Sequence, residues 1–110
     1  MDKSVKYQEI IVNFLNEYAD RKLTGWTDAK NMVVADAKNH HYLLMRLGWN
    51  RGKFYNYPVF HFDIVGDKIW VLSNQTDLPL DEELEELGIA KKDIVWGYEK
   101  TSTRNKMVAA

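Results

Sequence analysis

A histidine and an aspartate stand two residues apart, His61 and Asp63, and together they suggest two kinds of chemistry. A histidine held by a carboxylate can act as a general base, and a neutral imidazole can bind a metal ion. If the segment is a strand, both side chains point to the same side, with Cα atoms about 7 Å apart. The sequence offers no matching nucleophile motif and no third ligand at a recognisable spacing. We therefore predict a polar pair on a half-covered sheet face, with no catalytic residue, cofactor or metal ion.

A second pair of histidines, His40 and His41, lies at the entry to another predicted strand. One of them could supply a metal ligand together with His61. Adjacent strand residues point to opposite faces, however, so the pair makes a poor clamp for one ion. The pattern favours a turn residue beside a strand residue.

The segment around His61 is typical of two strands joined by a tight turn at Gly66-Asp67. Glycine at the first central position suits a type II′ turn, whose twist matches that of paired strands. This register puts Asp63 opposite Trp70. The core-facing side then holds Phe60, Phe62, Ile64, Ile69 and Val71. The other side, which we call the mixed face, is the predicted interface or functional surface and consists of His61, Asp63, Lys68, Trp70 and Leu72.

A long helix is predicted before this hairpin, because apolar side chains recur at helical spacing over residues 5–20. Asp2 or Ser4 can cap its first turn. The helix exits at Thr24-Gly25 into a loop that runs to about Lys30.

Period-two alternation predicts the strands that follow. Pro58 lies inside one of them and cannot donate a ladder hydrogen bond, so we expect a bulge there or an edge position. Gly52 suits the turn before that strand. The predicted strands before Gly66 cover residues 32–35, 41–49 and 54–65.

A short helix over residues 80–87 is predicted next, capped by Asp77 or Asp81 and stopped by Gly88. A last strand covers residues 94–98. Helix, four-strand meander, short helix and strand together predict an α+β fold, as one domain over 1–110. The sheet should be mainly antiparallel, with four to five strands and the helices on one face.

Composition limits the function classes. The chain has no cysteine, which excludes disulfides and cysteine-ligated metal sites. A net charge of −1 gives no overall attraction to nucleic acid. Residues 21–53 carry seven Lys and Arg, which could form a patch with the basic tail, but the pattern favours ordinary solvated surface. No apolar run approaches the ~20 residues of a membrane span or resembles a signal peptide, so we predict a cytoplasmic protein without membrane contact.

Several short motifs, in the same order and at similar spacing, resemble the XisI family over nearly the whole chain. The motifs are His41-Tyr42-Leu43-Leu44, Gly48-Trp49, His61-Phe62-Asp63-Ile64, Gly66-Asp67-Lys68-Ile69-Trp70, Leu87-Gly88-Ile89, Lys92-Asp93-Ile94-Val95 and Gly97-Tyr98. The resemblance implies a controlling factor for excision of a DNA element in nitrogen-fixing cyanobacteria. It also implies a protein partner, the nuclease-like XisH, in an antitoxin-like pairing.

Three hypotheses follow, in order of preference. The first is an accessory factor that binds a partner protein, XisH-like, and itself as a homo-oligomer. The second is direct DNA binding through the basic residues of 21–53 and the tail. The third is an enzyme centred on His61 and Asp63.

Overall fold

The structure, a computed structural model, describes residues 2–21, 26 and 28–98. It confirms the predicted α+β fold, with a long first helix and a short helix before the last strand. In chain order the elements are α1 (Lys3–Ala19), β1 (Asp28–Asp36), β2 (His41–Asn50), β3 (Lys53–Val65), β4 (Lys68–Asn74), α2 (Leu80–Glu86), a 3₁₀ turn (Lys91–Asp93) and β5 (Ile94–Trp96).

The five strands form one sheet in the order β1-β2-β3-β4-β5. The first four are antiparallel neighbours, and β5 runs parallel to β4. Parallel neighbours need a crossover connection, which α2 and the 3₁₀ turn provide. The mainly antiparallel sheet is therefore confirmed.

Two strand boundaries differ from the prediction. β1 begins at Asp28, so the predicted loop as far as Lys30 is wrong: alternating burial along β1 continues through those residues because they pair with the end of β2. β5 ends at Trp96 rather than Tyr98. Thr24-Gly25 and the tail from Thr101 lie outside the described residues.

The two tight turns of the meander follow from glycine placement. Arg51 and Gly52 both have positive φ, 53° and 79°, as a type I′ turn requires. Gly66 has φ 63°, and Asp67 is not among the residues with positive φ, which is the combination of the predicted type II′ turn. The predicted pairing of Asp63 with Trp70 across this turn is confirmed.

Helix α1 buries the stripe that its spacing predicted. Asp2 is its N-cap, and the Asp2 carboxylate accepts a hydrogen bond from the Ser4 N–H at 3.3 Å, as predicted. Its buried side chains lie on one face: Tyr7, Ile11, Phe14 and Leu15. None of the described helices is long and apolar enough to cross a membrane.

Helix α2 lacks the predicted cap. Its N-cap residue is Pro79, with no side-chain hydrogen bond, so the prediction of Asp77 or Asp81 as cap is wrong. Burial of Leu80 and Leu84 holds the helix on the core, and three acidic residues in its first turn favour the helix dipole. Gly88 ends the helix as predicted, at φ 114°.

Both helices contribute to a single core on one side of the sheet, which we call the inner face. The aromatic rings of Phe14 on α1 and Phe60 on β3 lie 5.3 Å apart, and Phe60 stacks on Phe62 at 5.8 Å. The five residues predicted for the core-facing side of the hairpin are all buried. The opposite side of the sheet, the outer face, includes the predicted mixed face.

Candidate functional site

A β-bulge in β3 decides which side chains meet on the outer face. β2 and β3 pair in one register from their turn as far as Pro58, and the register shifts by one residue at Val59. The sequence predicted a bulge or an edge position at Pro58, and the bulge is confirmed. Because of the shift, His41 lies opposite Asp63. Without it, Phe62 would occupy that place.

Asp63 holds two histidines through one carboxylate oxygen. Asp63 Oδ1 lies 2.9 Å from His41 Nδ1 and 2.9 Å from His61 Nε2. The two imidazole rings are edge to face, with centroids 6.4 Å apart. The hydrogen bond to Asp63 raises the pKa of the His41 imidazole above its usual value. We call His41, His61 and Asp63 the His–Asp cluster.

His40 takes no part in this cluster. It has a positive φ of 59° in the turn before β2, and its Nδ1 lies 2.9 Å from the Tyr42 hydroxyl. Tyr42 is buried on the inner side of the sheet. The prediction of a turn residue beside a strand residue is therefore confirmed. Sequence reasoning considered His41 as a ligand beside His61, but it missed the shared contact with Asp63, because that contact depends on the register shift.

The Lys68 side chain ends away from the His–Asp cluster, because its ammonium contacts Asp93. Its ammonium lies 3.1 Å from Asp93 Oδ1 and 3.4 Å from the Lys92 carbonyl oxygen. Asp93 is 1% exposed and also binds Lys3 Nζ at 2.7 Å and the Tyr7 hydroxyl at 2.6 Å.

The Asp93 contacts form a buried network that joins α1, β4 and the 3₁₀ turn. Burial alone would raise the pKa of Asp93, but the hydrogen bonds from Lys3, Tyr7 and Lys68 outweigh it and lower the pKa to about 2. The Asp93 carboxylate is therefore ionised at neutral pH, and its role is to hold these three elements together.

The other two residues of the predicted mixed face lie on β4. Trp70 is half-buried and is the register partner of Asp63. Leu72 is the extra residue of a second bulge, where the β3–β4 register shifts. It lies against Gly97, where a Cβ would come within 2.5 Å of Leu72 Cδ2. A larger residue at 97 would therefore displace the end of the Leu72 side chain.

A serine hydroxyl near the cluster is already engaged. Ser73 is the register partner of His61, and its Oγ donates a hydrogen bond to the Pro58 carbonyl oxygen at 3.1 Å. The His–Asp cluster therefore presents two imidazoles and a carboxylate, which are groups able to accept a proton or bind a cation, beside a hydroxyl directed elsewhere.

The rest of the outer face is apolar and open. Its exposed large side chains include Met32 and Val34 at 41%, Trp49 at 51% and Phe54 at 48%. Trp49 and Phe54 are cross-strand partners with ring centroids 5.4 Å apart. They line a groove of about 350 Å³ at the end of the face away from the His–Asp cluster.

The basic residues of the segment 21–53 do not form a single patch in the part of the chain that the structure describes. Lys38 lies in the β1–β2 turn and Arg51 in the β2–β3 turn, at opposite ends of strands about 30 Å long. Arg46 is engaged between them, with its Nε donating to Asn31 Oδ1 at 3.1 Å.

Comparison with known protein families shows which family the chain belongs to. The model of one family, described as XisI protein, matches residues 1–109. The chain belongs to the XisI family. The resemblance drawn from the motifs is thereby confirmed, and the XisI match covers all five strands and both helices of the sheet and core.

Two solved structures of XisI proteins from Anabaena variabilis share the fold. A XisI-like protein is 33% identical, with a TM-score of 0.86 over 96% of this chain and 95% of the other. The fdxN element excision controlling factor XisI is 25% identical, with a TM-score of 0.77 over 94% of this chain and 99% of the other. Comparison with curated proteins gave no significant match.

Proposed function

We propose that this XisI-family chain is an accessory factor that controls excision of a DNA element, and that it acts by binding a partner protein rather than by catalysis. The excision role is taken from the similar protein of Anabaena variabilis, which is an fdxN element excision controlling factor. The observation that carries the mechanism is the open apolar outer face, with Met32, Val34, Trp49 and Phe54 each about half exposed.

A sheet face that no described helix or strand covers supports protein binding. Both helices pack on the inner face, and apolar surface that a fold leaves in water is a common mark of an interaction site. The Ser73 hydroxyl beside the His–Asp cluster supports a non-catalytic role, because it donates to a backbone carbonyl rather than to an imidazole.

The size of the outer face fits one protein partner. Strand rise and spacing give β1 to β4 a flat area of roughly 600 Å², before the relief of the side chains is counted. A standard interface takes about 800 Å² from each partner. We assign this face to a XisH-like nuclease, the partner that the family resemblance implies. The alternative occupant of the outer face is a second copy of this chain.

Partner binding is tested with a matched pair of substitutions. Val34→Glu places a charge on the outer face, and Val5→Glu places the same charge on the first turn of α1, at nearly equal exposure of 41% and 43%. The chain and the XisH-like protein of its own genome are mixed and analysed by size exclusion with light scattering. We expect a complex with wild type and Val5→Glu, and affinity at least about tenfold weaker with Val34→Glu.

The excision role is tested separately, in an Anabaena strain that carries the fdxN element and lacks its own XisI. Excised junctions are counted by quantitative PCR after expression of each variant. Wild type and Val5→Glu should restore excision, whereas Val34→Glu should not. Absence of a XisH complex with the wild-type chain would overturn the partner assignment. If Val34→Glu instead breaks a homodimer and leaves XisH binding intact, the outer face belongs to self-association.

A further inference from the structure

We propose that the His–Asp cluster is a binding site for one divalent transition-metal ion of the zinc class, with His41, His61 and Asp63 as its ligands. The proposal is independent of the excision role and of the occupant of the apolar outer face.

The three side chains converge from two adjacent strands. His41 on β2 lies directly opposite Asp63 on β3, and His61 precedes Asp63 by two residues on the same face. One ligand atom from each residue lies within 4.8 Å of the other two. Two imidazole nitrogens and one carboxylate oxygen form a donor set that suits Zn²⁺ and related ions such as Co²⁺ and Fe²⁺.

The present distances are close to those of a bound site. Ligand bonds of 2.0–2.1 Å at tetrahedral angles require ligand atoms about 3.3 Å apart. The two nitrogen–oxygen distances, each 2.9 Å, would lengthen by about 0.4 Å on binding, and the two imidazole nitrogens, which lie within 4.8 Å of each other, would settle about 3.3 Å apart. Rotation of the exposed His41 side chain about its χ angles can supply this, because a strand-end side chain is not fixed by the core.

The proton balance of binding is simple. In the metal-free site each nitrogen that faces Asp63 shares a proton with the carboxylate oxygen. On binding, a neutral ring transfers that proton to its other nitrogen, and a protonated ring releases one proton to solvent. Three lone pairs are then directed at the ion, with no change in oxidation state.

The electrostatic surroundings favour a cation. Asp63 has no lysine or arginine partner among the ion pairs of the described residues; it pairs with the two imidazoles alone. Lys68, which the sequence placed beside it, directs its ammonium to Asp93. Asp36 is the register partner of His41 and adds a second carboxylate near the site. A metal ion would supply a permanent positive charge, which neither imidazole provides.

The site is open on one side. The His41 side chain is 50% exposed, and that of Asp63 is 20% exposed. Three protein ligands therefore leave at least one coordination position for water, or for a side chain of a docked protein.

Calorimetric titration of tag-free protein with ZnCl₂ tests the proposal. We expect saturable binding of one ion per chain, and a rise in melting temperature because the ion binds the folded state. Titration with CoCl₂ should give the visible absorption of tetrahedral Co²⁺ with nitrogen and oxygen ligands.

The matched control lies one residue away. His41→Asn removes a proposed ligand, whereas His40→Asn removes the neighbouring histidine, and asparagine tolerates the positive φ of position 40. We expect at least about tenfold weaker Zn²⁺ binding for His41→Asn and for His61→Asn, and unchanged binding for His40→Asn. Circular dichroism checks that each variant is folded.

Two results would overturn the site. One is the absence of saturable Zn²⁺ and Co²⁺ binding by the folded wild-type protein. The other is equal Zn²⁺ affinity for wild type and folded His41→Asn and His61→Asn. Neither result affects XisH binding or excision, so failure of the metal site is distinguishable from failure of the proposed function.

Discussion

Two aspartates show how surroundings decide the role of a carboxylate in this protein. Asp93 is 1% exposed and is bound by Lys3, Lys68 and the Tyr7 hydroxyl. Asp63 is partly exposed and is bound by two imidazoles. Both residues accept several hydrogen bonds, but the partners differ in whether their charge is permanent.

The difference has a physical consequence. Lysines keep their charge at neutral pH, so the Asp93 network is a fixed part of the fold. An imidazole nitrogen can give up its proton and then offers a lone pair instead of a hydrogen bond. The first arrangement stabilises the protein, and the second leaves a carboxylate that can exchange its partners.

The largest difference in stability is expected when each carboxylate is removed in turn. Asp93→Ala leaves two lysines and a buried hydroxyl without their acceptor, and we expect the free energy of unfolding to fall by about 2–4 kcal/mol. Asp63→Ala should cost less than about 1 kcal/mol, because solvent reaches its partners. Urea unfolding at pH 7 measures both. Equal losses would contradict the assignment of separate roles.

Acid pH should affect the Asp93 network next most strongly. The pKa of Asp93 is lowered from 3.8 to about 2 in the folded state, so its contribution is complete above the unfolded-state value and is lost as pH falls through the folded-state value. The shift corresponds to about 2–3 kcal/mol, lost between about pH 4 and pH 2. The stability difference between wild type and Asp93→Asn should therefore shrink over this range in urea melts. A constant difference would show that Asp93 titrates normally.

Tyr7→Phe probes one bond of the same network. It removes the hydroxyl that donates to Asp93 and that accepts from the Ala90 N–H at 3.3 Å, while the ring stays in the core. We expect a loss of about 1 kcal/mol in unfolding free energy and a rise in the pKa of Asp93. Unfolding curves and carboxyl NMR titration measure the two effects. Full stability with an unchanged Asp93 pKa would mean that the lysines alone hold the carboxylate.

The smallest effect is expected at the His–Asp cluster. His61→Ala removes one partner of Asp63 and leaves the carboxylate with His41 and water, so the loss should be about 0.5 kcal/mol. A shift of only a few degrees in melting temperature is then expected. A loss of several kcal/mol would place His61 with Asp93 as a structural residue.

Local sequence patterns predicted most of the fold. Helical spacing in α1 and alternation in β2 to β4 both report burial against one core, so these elements and the Gly66 turn could be read directly. The start of β1 and the end of β5 could not, because β1 is extended by pairing with the end of β2, and the pairing of β5 with β4 stops at Val71, beside the bulge at Leu72. The cap of α2 also escaped, since the burial of Leu80 and Leu84 stabilises that helix without a polar cap.

The candidate site was only partly predictable. His61 and Asp63 share a face by local geometry, which period-two alternation gives. The position of His41 opposite Asp63 depends on one extra residue, Val59, in β3. A bulge shifts every strand pair beyond it by one residue, and the sequence does not fix where the bulge falls. The direction of the Lys68 side chain depends on Asp93, 25 residues away in the sequence.

The Asp93 network also bears on how long the folded state lasts. Its bond to Tyr7 joins residues 86 positions apart, so it connects the first turns of α1 to the 3₁₀ turn just before the last strand. Because closing such a long loop costs chain entropy, we expect this contact to form late in folding, after the local hairpins of the meander. Interactions absent from the folding transition state leave the folding rate unchanged and slow unfolding. The network is therefore expected to slow unfolding, which lengthens the lifetime of the native protein, and to leave the folding rate unchanged.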